Sequence, residues 1–455
     1  MHFIQAFFKK SKQMYTTQLI VMFYLLAILI STLILSVPFF LREGVTVSII
    51  DTMFTAISAI SVTGLTVIPI TETYNAGGYF ALAFILQFGG IGIMTLGTMF
   101  YIVLRKKIGI RERRLISIDQ NRSTLSGLVQ LMLKILKTVL LIEVVGMIVL
   151  SLHFLNYFDT WQEAWIQGFF ASVSATTNAG FDITGQSLVP FADDYFVQFI
   201  NMLLLILGAI GFPVLIEIQH MIKGESRHKG IPFRFSTFTK LTTTTFFILV
   251  IFGAVMIYLL ERQYFLADKS WHESLFYSLF QSITTRNGGL YTMDVSEFTS
   301  PTLMVLSFLM FVGASPSSVG GGIRTTTFAI MLLAIYHYAR GHQTIKVFKR
   351  EIQQEDVMRS FIVGTTALLL CFTAILILSI TEPFTNMALA FEVFSAFGTT
   401  GLSLGITPDL SVIGKLVIMV MMFVGRIGIF SFLFLIRGKP TKDSYHYPIG
   451  RMIIG

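Results

Sequence analysis

The sequence predicts an all-α integral membrane fold: four tandem helix–pore-loop–helix repeats set around a central pore. Three observations carry that expectation. Charge is scarce, apolar runs reach spanning length, and one glycine-ended pattern returns at near-constant spacing.

Of the 455 residues, 54% are hydrophobic and only 13% charged. A soluble domain usually carries about a quarter charged residues, so lipid is the expected solvent. The runs Leu19–Leu35, Phe199–Ile218 and Phe361–Ile380 approach the roughly 20 residues that a spanning helix needs. The first follows Lys9, Lys10 and Lys12 without a small-residue cleavage site, so it reads as an uncleaved first span. Cys371 is the only cysteine, which rules out an intrachain disulfide and is expected to be a buried, inert thiol. The eight histidines show no ligand spacing, and no structural metal site is expected.

The net charge of +8 does not point to nucleic acid, because it is concentrated between apolar runs. Lys9–Lys12, Arg105–Arg114, Lys223–Lys240, Arg340–Arg359 and Arg437–Lys442 fall on one side if the chain crosses twice between each pair. That is the positive-inside pattern, with a multi-pass cell-membrane protein and both termini in the cytoplasm as its consequence. Of these, Arg105–Arg114 and Arg340–Arg359 suit contact with anionic membrane lipids. The opposite connections hold Glu43, Asp51, Glu72, Asp159, Glu163, Asp193, Asp194, Asp268, Glu297 and Glu382. An acidic outer face would concentrate cations; ordinary polar loops are the alternative.

Four segments share one plan: a polar start, a short helix, a Ser/Thr-rich end, then glycine and an apolar residue. They begin at Asp51, Glu163, Glu273 and Asn386 and end around Gly64, Gly180, Gly289 and Gly401, which lie 116, 109 and 112 residues apart. Each lies between two apolar runs, so the repeats divide as 1–110, 111–235, 236–350 and 351–455. A helix of about a dozen residues is ~18 Å long and cannot span. It must enter and return as a loop, and non-helical backbone at membrane depth survives only inside protein or beside water. Glycine permits the unusual dihedrals that let carbonyls converge on an axis and replace the hydration oxygens of a cation. Thr63, Thr177, Thr284, Thr285, Thr399 and Thr400 can brace the turns or add oxygens, and the short helices' C-terminal ends favour positive charge. Packing glycines between helices are the alternative at any one turn; four matched turns argue against it.

The turns SVTGL (61–65), TNAGF (177–181), RNGGL (286–290) and TTGLS (399–403), with the run GASPSSVGGGIRTTTFA (313–329) and the GRIG of 425–428, carry a family likeness. The chain resembles the membrane subunits of the Ktr/Trk/HKT superfamily of potassium uptake systems, most closely the KtrB-like branch, from about Gln18 onward. The resemblance implies eight transmembrane helices, four re-entrant pore helices and one ion path per subunit. It also implies a homodimer docked on a cytosolic nucleotide-binding ring of the KtrA type. The implied filter comprises Val62, Thr63 and Gly64; Asn178, Ala179 and Gly180; Asn287, Gly288 and Gly289; and Thr399, Thr400 and Gly401. Potassium would be held at the filter glycines. With one glycine per turn and no GYG, selectivity is expected to be modest, with sodium a candidate permeant ion or activator. Asn287 and Gly288 stand where relatives often show Thr-Ala, a departure at the third turn.

The third inner helix is too long. From Thr302 to Tyr338 it would run 37 residues, about 55 Å against hydrocarbon of about 30 Å. Gly313, Ala314, Ser315, Pro316, Ser317, Ser318, Gly320, Gly321 and Gly322 lie in its middle, where proline and four glycines break a helix. An intramembrane loop is expected, as the resemblance also implies; a kinked helix projecting into the cytoplasm is the alternative. Arg426 lies eleven residues before Arg437, near mid-membrane, where a charge is costly and usually faces a cavity. It is expected to border that cavity and touch the loop, the two together forming a gate; purely structural pairing with helix carbonyls is the alternative. Arg324 is expected to snorkel or anchor the loop. Arg286 is expected to point behind its short helix and pair with an acid, Glu297 or Asp294.

No nucleotide site is expected in this chain: GGIGIMTLG (89–97) lacks the GxGxxG order and lies in a span, so ATP or ADP control would come through the partner. The apolar ending 446–455 is a candidate dimer contact, and Arg105–Arg114 and Arg340–Arg359 are candidate docking segments. An enzyme is not expected, since no catalytic constellation recurs at one depth. An alternating-access symporter for potassium with sodium or protons is the competing class. Repeats of the same orientation, and intramembrane acids limited to Glu143 and Glu217, argue against it.

Overall fold

The computed structural model describes residues 16–92, 127–224 and 233–436, with residues 448 and 450. The expected roles of Lys9–Lys12, Arg105–Arg114, Arg437–Lys442 and most of 446–455 lie outside the described residues. Long helix, short helix and inner helix follow one another four times among them.

The long helices are α1 (Thr16–Leu35), α4 (Leu128–Phe154), α8 (Thr237–Glu261) and α12 (Gln354–Thr381), each long and apolar enough to cross a membrane. On each, one face is buried and the other exposes large apolar side chains. On α12, Val363, Ala367, Cys371, Ala374 and Leu378 are buried, while Leu369, Phe372, Leu376 and Ile380 are exposed. An apolar stripe of that breadth turned outward is a surface for lipid rather than water. Inward faces are small where helices cross: a side chain at Gly146 would strike Ser172, and one at Gly253 would strike Ser282. Those serines donate to the carbonyls of Glu143 and Val250, so hydroxyl bonds accompany the close approach.

The short helices are α2 (Ile49–Ser61), α5 (Trp161–Thr176), α9 (Trp271–Thr284) and α13 (Asn386–Gly398). Each starts on a hydroxyl cap: Ser48, Thr160, Ser270 and Thr385 accept from the backbone N–H three residues on. Ser270 and Glu273 complete a capping box. The C-terminal halves are buried although each carries serine, so these helices end inside the bundle.

The inner helices depart from expectation. Only the third is expected to break, yet each ends or breaks at a residue of positive φ. Helix α3 (Ala76–Ile91) stops at Gly92, α6 (Tyr195–Ala209) and α7 (Phe212–Ile222) meet at Gly211, and α14 (Val412–Ile427) meets α15 (Ile429–Ile436) at Gly428. The single run expected over Phe199–Ile218 is thus two helices bent by 104°. Gly211 has φ +102° and ψ 132°, Gly92 +94° and 134°, Gly428 +81° and 149°. In the third segment, α10 (Ser300–Val312) and α11 (Thr325–Ala339) are separated by a loop, and Arg324 holds φ +80° and ψ 144°. The break falls seventeen residues after the N-cap in three segments (75 to 92, 194 to 211, 411 to 428) and twenty-five after it in the third (299 to 324). Eight additional residues therefore make the loop.

Polar clasps tie the end of each long helix to the start of its inner helix. Asn75 Nδ2 donates to the carbonyls of Phe39 and Leu41 just beyond α1. Glu261 accepts from Thr299 N and Oγ1 at 2.9 and 2.7 Å and from the Thr302 hydroxyl. Glu382 accepts from the N–H and hydroxyl of Ser411. Asp194 takes the His153 ring and the Tyr157 hydroxyl at 2.6 Å each while capping α6. Asp51 pairs with Lys415 of α14 at 2.7 Å, joining the fourth segment to the first. Asp51, Asp194 and Glu382 are thus committed to internal contacts, which thins the expected acidic outer face. Among the described residues the all-α expectation holds apart from one hairpin, β1 (Lys346–Val347) with β2 (Arg350–Glu351), in the basic stretch 340–359.

Partial burial pushes the Asp194 carboxyl up, but the bonds from Tyr157, His153 and the Val197 amide outweigh it and hold it below the ordinary carboxylate range. The Asp194 bond and partial burial in turn push Tyr157 up to about 12. A carboxyl depressed on folding stabilises fully above its unfolded pKa and loses that contribution as pH falls through the folded value. The melting temperature of the protein should therefore exceed that of Asp194→Asn at about pH 6, and the gap should close as pH falls below about 4. A gap unchanged across that range would show that the carboxylate contributes nothing.

Candidate functional site

Each short helix ends in a turn built the same way. Two residues before the glycine, Val62, Asn178, Asn287 and Thr399 take left-handed φ of 57°, 52°, 77° and 51°. The glycines follow with φ of +95° (Gly64), +68° (Gly180), +70° (Gly289) and +95° (Gly401). A non-glycine residue in the left-handed region is uncommon, and β-branched Val62 and Thr399 are costly there.

These turns meet. A Cβ on Gly64 would lie 2.6 Å from Ala179 O and 3.0 Å from the Gly180 Cα, and one on Gly180 would lie 2.9 Å from the Gly289 Cα. One on Gly289 would lie 2.4 Å from Thr400 O, and one on Gly401 would lie 2.1 Å from Thr63 O. The contacts run 64–180–289–401–64 and close a ring. The carbonyls of Thr63, Ala179, Gly288 and Thr400, each preceding its glycine, lie against the neighbouring turn. All twelve residues singled out in the turns thus come together, and no side chain larger than hydrogen fits at the four glycines.

The hydroxyls that brace the turns are mostly not those expected. Ser58 and Ser395 Oγ accept from Gly64 N and Gly401 N, both at 3.1 Å. Ser174 and Thr284 hydroxyls donate to Phe181 O and Leu290 O, both at 2.5 Å. Ser58, Ser174 and Ser395 each stand six residues before their glycine, a spacing that could have revealed them. Asparagines link turn to turn: Asn178 Nδ2 reaches Arg286 O at 3.5 Å, and Asn287 Nδ2 donates to Thr399 O at 3.0 Å, Thr399 Oγ1 at 2.8 Å and Gly398 O.

The loop between α10 and α11 lies directly against this ring. A Cβ on Gly320 would strike Asn287 and one on Gly321 would strike Thr399. The loop folds back on itself, with Ala314 N bonded to Gly321 O and Gly313 packed on Gly322. It also docks on the break in the second inner helix: Ser315 N and Val319 N donate to Ala209 O and Gly208 O, and Phe212 N donates to Ser317 O. Pro316 O lies where a Cβ on Gly211 would come within 2.9 Å. The loop extends past the expected 313–322 to Arg324, and Val319, which sequence reasoning passed over, carries one of its principal contacts.

Arg426 is buried, and its guanidinium donates to Val319 O of the loop and to Gly89 O and Gly90 O of α3. Arg324 anchors the loop from its end, donating to Ser315 O at 3.4 Å and to Gly320 O. Its positive φ, held by glycine at the other three breaks, is locked further by Arg324 N bonding Val312 O at 2.9 Å. Arg324 and Arg426 share a cavity of about 90 Å³ with Tyr24, Ser317 and Ser318.

Arg286 corrects an expectation. No acid pairs with it among the described residues: it donates to Leu309 O, to Gly313 O at 3.4 Å and to Thr285 Oγ1. Leu309 O also accepts from Gly313 N, so the guanidinium shares the last turn of α10, whose carbonyl ends carry the partial negative charge that a carboxylate would have supplied. The buried acids differ from the expected pair. Glu143 is buried and accepts from Gln87 at 2.7 Å, whereas Glu217 is only half-buried and accepts from Ser236 N at 3.0 Å; Glu261, Glu382 and Glu392 are buried as well, the last bonded to the Thr407 hydroxyl.

A bundle of helices with apolar outer faces enclosing four buried turns defines the class, a helical integral membrane protein. The family model described as cation transport protein TrkH matches residues 7–447, and the chain belongs to that family. It is 56% identical over 438 residues to Ktr system potassium uptake protein D of Bacillus subtilis, covering 96% of this chain and 97% of that protein. It is 34% identical to the potassium/sodium uptake protein NtpJ of Enterococcus hirae, covering 98% of each. The crystal structure of the potassium transporter TrkH from Vibrio parahaemolyticus superposes with a TM-score of 0.71 at 20% identity, over 93% of this chain and 86% of that one, a likeness of fold.

Replacing Ser395 by Ala should lower thermal stability by the equivalent of about 1 kcal/mol, because the half-buried Gly401 N–H loses its acceptor. Ser395→Thr should retain it. A Ser395→Ala protein melting with the wild type would show that the turn is braced otherwise.

Proposed function

We propose that this chain is the membrane subunit of a potassium uptake system, conducting potassium through the ring of Gly64, Gly180, Gly289 and Gly401. The closed ring of four left-handed turns carries the reading. Backbone carbonyls gathered where no side chain fits can replace the hydration shell of a cation without a charged ligand, and four short helices point their negative ends at it. Potassium as the cargo is supported by the Bacillus relative at 56% identity, named for potassium uptake. The Enterococcus relative, named for potassium and sodium, supports sodium as activator or second permeant ion.

The loop 313–324 with Arg426 is the gate in this reading. It packs on two turns of the ring, and a cation passing it meets two arginines at one cavity. Control by ATP or ADP would come from a cytosolic KtrA-like ring, in keeping with relatives named as Ktr system proteins. A homodimer in the plasma membrane, termini inward, completes the assembly. The competing reading, an alternating-access symporter, draws on the broken inner helices and the buried Glu143 and Glu392.

Rubidium flux into proteoliposomes with the partner ring tests the filter. Gly401→Ser should cut flux at least about tenfold, corresponding to ~1.4 kcal/mol of added barrier, since the new Cβ would meet Thr63 O. Wild-type flux in that variant would sink the filter. A fixed stoichiometry with sodium or protons would favour the symporter. Deleting part of 313–322, or Arg426→Ala, should raise flux about tenfold or more; unchanged flux in a folded deletion variant would rule out the gate.

A further inference from the structure

We propose that Arg286 is a positioning residue that couples the glycine ring to the loop 313–324, so that ion occupancy of the ring and the state of the loop depend on one another. Its backbone belongs to the third turn: its carbonyl accepts from Asn178 of the second turn, and the next residue, Asn287, bridges to the fourth. Its side chain belongs to the loop, donating to Leu309 O and to Gly313 O, where α10 ends and the loop begins.

The arrangement has little slack. Arg286 is only 1% exposed, and among the described residues no carboxylate neutralises it. Its Nε has no hydrogen-bond partner, so the Leu309 and Gly313 carbonyls are its main polar support. A buried guanidinium that loses an acceptor is costly, more so than a neutral group. If Gly313 swings away with the loop, Arg286 must follow it or lose that bond. Following it moves the backbone that sets Asn287 and Gly288, and with them the carbonyl facing Gly180. A second contact acts in parallel, since Gly320 packs on the Asn287 side chain with no room for a methyl between them. Two discrete arrangements joined through a packed, hydrogen-bonded contact are the physical requirement for coupling between sites.

Because this rests on reading the ring as filter and the loop as gate, the measurement must tell the two failures apart. Hydrogen–deuterium exchange of the full-length protein in nanodiscs, in potassium chloride against choline chloride, reads both segments at once. In the wild type, potassium should slow exchange in peptides spanning 286–292 and, by roughly threefold or more, in peptides spanning 313–324. Arg286→Gln should keep the response of the turn and clearly weaken that of the loop, leaving only what the Gly320–Asn287 contact carries, and Arg286→Lys should restore part of it. A merely structural arginine would alter the exchange of both segments equally in either salt. A wild-type turn that responds beside a loop that does not overturns the coupling alone, and needs no variant to fold. A turn indifferent to potassium while flux is intact overturns the filter, and the coupling with it. An Arg286→Gln loop that still responds as in the wild type overturns the assignment to Arg286.

Discussion

Four strands of backbone packed against one another at Gly64, Gly180, Gly289 and Gly401 set the terms for the rest of the molecule. Carbonyls of neighbouring segments lie where a Cβ would come within 2.1–2.6 Å at three of the four positions. Such an approach is possible only without side chains, and only if the preceding residues accept left-handed dihedrals. Strained backbone persists when its surroundings over-determine it. Here the short helices deliver the turns, Ser58, Ser174, Thr284 and Ser395 hold their free amides and carbonyls, and Asn178 and Asn287 tie one turn to the next. The long helices serve chiefly as an apolar casing whose inner faces are small enough to let the short helices in.

A second rule recurs lower in each segment. A positive φ near 80–102° with extended ψ ends or bends the inner helix, and glycine provides it three times. The third segment puts eight more residues before the break and an arginine at it. Arginine is poorly suited to that dihedral, and its guanidinium returns to Ser315 O and Gly320 O of the inserted loop. The loop is therefore an elaboration of a break that all four segments possess.

Among the described residues, buried charge around the ring is handled without ion pairs. Arg286, Arg324 and Arg426 all donate to backbone carbonyls, mostly ones left free where a helix ends or a loop turns. Peptide dipoles satisfy an arginine's donors while leaving its positive charge in place. Acids instead cap the clasps at the inner-helix starts, as Glu261, Glu382 and Asp194 do.

Composition, the near-constant glycine spacing and the matched Ser/Thr-rich ends were enough to read a helical membrane fold, the four turns and the loop-bearing third helix. Those features are local: they depend on which residue permits a dihedral, breaks a helix or avoids water. Arg426's contact with the loop was legible because a charge at mid-membrane must find a partner. The partner of Arg286 was not, since helix-end carbonyls carry no residue signature and sequence proximity pointed to Glu297 and Asp294. Nor were the breaks at Gly92, Gly211 and Gly428, since a glycine in an apolar run is equally at home inside a packed helix. Which glycines would bend and which would pack was decided only by tertiary structure, through the loop seated on Gly208–Gly211 and the short-helix ends pressed against Gly89 and Gly425. The sequence by itself placed one glycine at each turn; only the assembled bundle brought the four into one ring.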